Sequence, residues 1–147
     1  NVMLRKIELA PGQKRTVTAE LVLPMDVDLV ALTPRASRRC TGLEVVVHPP
    51  DGRPTALLGV EDWNPHYRET YVLESPVRLS QGERVSVVWR YDNTEANPRN
   101  PVTPPEEVSL GARVGVANVL LMCAPTDPDR EAELADFAVA EMRRRQR

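Results

Sequence analysis

The chain opens on an alternation of polar and apolar positions and keeps that two-residue period for much of its length. Residues 4–10 alternate apolar with charged side chains, Pro11-Gly12 interrupts, and 14–23 resumes with Val17, Ala19, Leu21 and Leu23 on one face. Such a pattern is a strand, turn, strand signature. Residues 27–32 put Val27, Leu29 and Ala31 on one side and Val30 and Leu32 on the other, predicting a short interior strand that ends at Pro34. The β-branched run 43–47 stops at Pro49-Pro50-Asp51-Gly52, a tight-turn composition, and 55–60 is expected to pair back on it as a hairpin. After a polar insert at 62–66, strands are predicted at 69–73 and 83–91 around the turn Ser80-Gln81-Gly82, with Val85, Val87 and Trp89 sharing a face. Segment 93–107 carries prolines at 98, 101, 104 and 105 and cannot pair as a central strand, because proline has no N–H to give to a ladder. Residues 114–124 form a nearly continuous apolar run, which predicts an eighth strand buried on both faces.

The tail breaks the two-residue period. Asp127-Pro128-Asp129 supplies an N-cap, a first-turn proline and an acid at the positive end of a helix, and Arg143 to Arg145 stand at the negative end. A helix over about 128–144 is predicted, with Leu134, Phe137, Ala138 and Met142 on a narrow apolar stripe suited to docking rather than to independent stability. The expected fold is therefore all-β: an antiparallel, jelly-roll-like β-sandwich of about eight strands over 1–125, followed by a helical tail over 126–147.

Composition narrows the function classes. The 147 residues are 27% charged and 41% hydrophobic, with a formal net charge of −2. That is an ordinary globular balance, with no general field for attracting phosphate backbones, so nucleic acid is not expected as a partner. No window approaches the roughly 18 consecutive apolar residues of a membrane-spanning helix, and no direct membrane span is expected. Cys40 and Cys123 are the two cysteines; they are compatible with one bridge or with two free thiols, and form no CxxC motif.

Catalytic signatures are missing. The chain has no GxSxG elbow, no Walker-type glycine loop and no GxGxxG. His48 and His66 lie far apart with no acidic or thiol residue at a regular ligand spacing. Glu61-Asp62 and Glu106-Glu107 are adjacent pairs, and adjacent side chains on a strand point to opposite faces, so neither pair is placed for joint acid and base work.

The most distinctive stretch is Tyr91-Asp92-Asn93-Thr94-Glu95-Ala96-Asn97-Pro98-Arg99-Asn100-Pro101. Asn and Asp side chains bond nearby backbone and proline fixes φ, so this composition holds a defined loop without regular pairing. The run YDNTEANPRNP with the following PPEEVSLG resembles a loop and strand entry of the copper type II, ascorbate-dependent monooxygenase C-terminal domain, the family of peptidylglycine α-hydroxylating and dopamine β-monooxygenases. LPMDVDLVALTPRAS and DWNPHYRETYVLESPVRLSQGERV resemble two further segments of that domain, the second including a hairpin, and the likeness runs from about Leu23 to Met122.

The resemblance implies a copper site built from a His-x-His pair after the strand-ending proline and a methionine on the last long strand. Here Arg35, Ser37 and Asn118 occupy those positions. A guanidinium has no lone pair to give a metal, so no cofactor and no enzymatic activity are expected. What remains is a noncatalytic accessory or scaffolding subunit, periplasmic or secreted by resemblance, that binds other protein subunits within a membrane-attached complex. Its expected partner-binding residues are Asn93, Asn97, Arg99 and Asn100 in the loop and Phe137 and Arg143 in the tail. Two alternatives are a copper-binding protein or monooxygenase with atypical ligands such as His48, His66 and Met122, and an anion site lined by Arg35, Arg38 and Arg39.

Overall fold

The computed structural model describes residues 1–67, 69–110 and 117–146. Ten strands precede one helix: β1 (Val2–Met3), β2 (Ile7–Leu9), β3 (Lys14–Val22), β4 (Val27–Arg35), β5 (Cys40–His48), β6 (Thr55–Val60), β7 (Tyr71–Leu79), β8 (Arg84–Asp92), β9 (Val108–Leu110), β10 (Asn118–Pro125), and α1 (Glu131–Gln146) after the 3-10 turn Pro128–Arg130. Every pairing is antiparallel. One sheet runs β1-β10-β4-β7, a second β3-β8-β5-β6, and β2 with β9 forms a short two-stranded ladder. The pairs Val2↔Val119 and Ile7↔Leu110 run in the same sense along the chain, so β1 and β2 act as one interrupted strand and β9 and β10 as another. Counted that way, the eight strands of the described residues are shared between two sheets in jelly-roll order, as the sequence predicts.

The core forms where the two sheets face each other. Val27 and Leu29 of β4 and Val119 of β10 meet Leu43 and Val45 of β5 and Val85, Val87 and Trp89 of β8, all fully or almost fully buried. The predicted common face of Val85, Val87 and Trp89 is present, as is the hairpin joining β5 to β6.

Several expectations about pairing and burial need correction. The turns at Pro11-Gly12 and Ser80-Gln81-Gly82 do not close hairpins: β2 pairs with β9 and β3 with β8, while β7 and β8 belong to different sheets. These turns carry the chain across the sandwich, and Gly12 (φ 73°) and Gly82 (φ 84°) adopt the left-handed backbone that glycine tolerates best. β4 continues through Pro34 to Arg35. Pro34 lies beyond the last β4–β7 pair, Leu32↔Tyr71, so no strand on that side requires its missing N–H. β7 extends past the expected 69–73 and accepts Pro76 because it is an edge strand. The insert 62–66 is not wholly polar in placement, since Trp63 is buried.

The last strand departs furthest from expectation. Residues 114–116 of the predicted run lie outside the described residues. Over Asn118–Pro125 the strand is buried on one face only, with Leu120 and Met122 exposed. The 3-10 turn that leads into the helix is capped by Asp127, whose Oδ1 accepts from Asp129 N at 3.1 Å. Leu134 and Phe137 pack against the core, whereas Ala138 and Met142 of the expected stripe are exposed.

Candidate functional site

Asn93 opens the loop after β8 and is fully buried. Its Nδ2 donates to the carbonyls of Ala10 (2.9 Å) and Glu106 (2.8 Å), with a longer contact to Leu9 O (3.4 Å). Its Oδ1 accepts from Arg39 Nε (3.0 Å) and Asn100 Nδ2 (3.0 Å). Both amide hydrogens and both carbonyl lone pairs are thereby used. Asn97 Nδ2 donates to Asp92 O at 2.7 Å and its Oδ1 accepts from Arg99 N at 3.0 Å. Asn100 Nδ2 also reaches Thr94 O at 3.3 Å. The loop is thus tied to the end of β2, the approach to β5 and its own returning limb.

This arrangement corrects two of the expected partner contacts. The side chains of Asn93 and Asn97 face inward: Asn93 uses every donor and acceptor it has, and Asn97, also buried, is bonded to Asp92 O and Arg99 N. Arg99 and Asn100 are half-buried; Arg99 Nη1 pairs with Asp62 Oδ1 at 2.8 Å, joining the loop to the insert that carries Trp63. Arg143 is exposed on the last turn of α1. Asp92, at the start of the loop, has its carboxyl pushed up by burial, but hydrogen bonds from Thr94 and the Lys14 ammonium at 3.2 Å outweigh this and hold it below the ordinary value.

Arg35 and Asn118, two of the positions implied by resemblance as copper ligands, are direct cross-strand neighbours on β4 and β10. Arg35 is exposed, while Asn118 Oδ1 is buried without a hydrogen-bond partner among the described residues. The Ser37 hydroxyl is likewise buried and stands near the Tyr91 phenol, neither oxygen reaching hydrogen-bond geometry among the described residues. Burial, with the neighbouring Cys40, pushes the Tyr91 pKa up. This donor set, a guanidinium, an amide and a hydroxyl, offers copper neither imidazole nor thioether.

The atypical ligand set is also not assembled. His48 Nε2 is 2.7 Å from Ser86 Oγ on the outer face of the β3-β8-β5-β6 sheet. Met122 projects from the outer face of the opposite sheet, so the sandwich separates them. Among the described residues no three His, Cys, Asp or Glu side chains converge as a metal site. The anion site expected from Arg35, Arg38 and Arg39 loses Arg39, which is buried against Asn93 while Arg35 and Arg38 are exposed. Burial lowers the Arg39 pKa, opposed by the nearby Glu106 carboxylate. Both thiols are free: burial pushes Cys40 up to about 12 and Cys123 up to about 11.

Sequence reasoning missed an apolar patch on the outer face of the β1-β10-β4-β7 sheet. Met122, Ala31 and Val72 are register partners across β10, β4 and β7, with Leu120 opposite Thr33 in the adjoining part of the ladder. Val72 is 76% exposed, Met122 50%, Leu120 39% and Val30, at the β4 bulge, 38%. The signal was present in 118–125: an apolar run with a two-residue period requires a cover for each face, but does not say whether the cover belongs to the same chain. In comparisons with known proteins, no family model and no curated protein matches the chain.

Proposed function

We propose that the chain is a noncatalytic accessory or scaffolding subunit that binds another protein through the outer face of its β1-β10-β4-β7 sheet. The reading is carried by the apolar side chains of Val30, Val72, Leu120 and Met122, exposed together on three adjacent strands. Single exposed apolar residues are ordinary, but a contiguous patch on a rigid sheet is a feature of interaction sites. The likeness of the loop and two other segments to the copper monooxygenase C-terminal domain supports a retained frame with Arg35, Ser37 and Asn118 in place of ligands. By the same resemblance the subunit works outside the cytoplasm, in a membrane-attached assembly.

The test is affinity purification of the tagged full chain from its native cells, with mass spectrometry of the copurifying proteins and metal analysis of the same sample. A stoichiometric partner is expected, and Val72→Arg with Met122→Arg should remove it while leaving the melting temperature nearly unchanged. Retention of the partner by the double variant overturns the face assignment. One tightly held copper per chain overturns the noncatalytic reading.

A further inference from the structure

The strands at the margins of the sandwich are not equally protected. An edge strand presents a row of unpaired N–H and C=O groups, which proteins blunt with charge, proline or brevity. β3 carries Lys14, Arg15 and Glu20, and β7 carries Glu74, Pro76 and Arg78. β1, β2 and β9 are two or three residues long. β6 has none of these devices: its six residues, Thr55-Ala56-Leu57-Leu58-Gly59-Val60, include no charge and no proline. Its one irregularity is the bulge at Leu57, left without a partner between Ala56↔Val46 and Leu58↔Val45. Among the described residues, no backbone group of 55–60 is hydrogen-bonded outside the ladder with β5.

The edge is firmly held and stands open. Leu57, Leu58 and Val60 pack against the core, Thr55, Ala56 and Gly59 are exposed, and a Cβ built on Gly59 would meet no atom within 4 Å. The charges flanking the strand select the partner. Arg53, before it, is exposed and makes no ion pair among the described residues. Glu61, after it, has a side chain 96% exposed that touches Arg90 Nη2 only at 3.5 Å. An antiparallel copy related by a two-fold axis at Leu57 sets Arg53 of one chain opposite Glu61 of the other, twice over; a shift of one residue sets it opposite Asp62 instead. In-register parallel pairing would set Arg53 against Arg53 and Glu61 against Glu61. Opposite charges facing each other across strands favour a register, and like charges oppose it. We propose that β6 pairs antiparallel with β6 of a second copy of this chain, joining two β3-β8-β5-β6 sheets into one continuous sheet across a two-fold axis. The contact lies on the other sheet from the partner face proposed above and stands independently of it.

The test is analytical ultracentrifugation of the full chain from about 5 to about 500 μM, the range suited to an interface as small as one strand pair. A reversible dimer is expected. Arg53→Glu and Glu61→Arg, both at exposed positions, should each weaken it at least about tenfold, because each turns two attractions into two repulsions. The melting curve at low concentration should stay in place for both. Mixed one to one, the two variants should recover the association as a heterodimer, since every charge at the contact then faces its opposite. Ala56→Lys, which sets a charge on the edge itself, should leave a monomer. Val72→Arg with Met122→Arg, on the opposite sheet, should leave the dimer unchanged. A monomer at every concentration, a dimer indifferent to Arg53→Glu and Ala56→Lys, a dimer lost through Val72→Arg with Met122→Arg, or no recovery on mixing overturns the proposal.

Discussion

The loop at 93–107 and the helix α1 reverse the expectation that regular structure is the better-anchored structure. The loop has no repeating hydrogen-bond pattern, yet Asn93 alone uses every donor and acceptor of its side chain to tie three parts of the chain together. The helix satisfies its own backbone and places Leu134 and Phe137, both half-buried, against the core, with Arg5 donating to the Arg144 carbonyl near its end. Irregular backbone must find partners for each polar group individually, so a loop that succeeds becomes specific architecture. A helix carries its bonds with it and can sit lightly on a surface. The loop is bonded into the frame, whereas the outer face of the β1-β10-β4-β7 sheet carries exposed apolar side chains.

The largest effect that would sharpen this contrast is expected from Asn93→Ala. It strands the Ala10 and Glu106 carbonyls and the Arg39 guanidinium in a buried setting, where each unsatisfied group costs about 1–3 kcal/mol. A loss of roughly 3 kcal/mol or more is expected in urea unfolding monitored by Trp fluorescence. A loss below that of a surface substitution would break the comparison. Phe137→Ala should cost far less, about 1 kcal/mol, since the ring is only half-buried and full burial of such a side chain is worth about 1.5–3 kcal/mol. Its clearer signature is faster amide exchange across α1 with the strands unchanged, a local rather than global opening.

A smaller effect concerns pH. The Asp92 carboxyl is held below its ordinary value, so its charged form is favoured by folding. Its contribution is therefore present above the unfolded carboxylate range, near pH 4, and is lost as pH falls through the lowered folded value. Asp92→Asn should melt below the wild type at pH 7, and the gap should narrow as the pH drops below about 4. A gap that is constant with pH would mean that the Lys14 and Thr94 contacts to Asp92 do not couple to folding.

The positions of most strands were legible in the sequence because a half-buried strand writes its period directly into the chain. Val85, Val87 and Trp89 on β8 and the Pro49-Pro50-Asp51-Gly52 turn after β5 show this. Which strands pair was not legible at Pro11-Gly12 or Ser80-Gln81-Gly82, since a left-handed glycine serves a hairpin and a crossover between sheets equally well. The loop was legible as an ordered loop from its Asn and Pro content. That Asn93 and Asn97 turn inward was not, because their amide N–H groups go to backbone carbonyls, which every residue supplies. The sheet face escaped for a related reason: Leu120 and Met122 read as core until β10 is seen to leave them exposed among the described residues.

The assignment of frame and contact surface is tested most directly by site-specific photocrosslinking in the native cells. A photoreactive p-benzoylphenylalanine replaces Met122 in one variant and Arg99 in another, and the adducts of each full-length chain are resolved by mass. The account predicts a discrete protein adduct of defined mass from position 122 and none from position 99. An adduct from position 99 with none from position 122 would contradict it, returning partner binding to the loop and leaving the sheet face without a role.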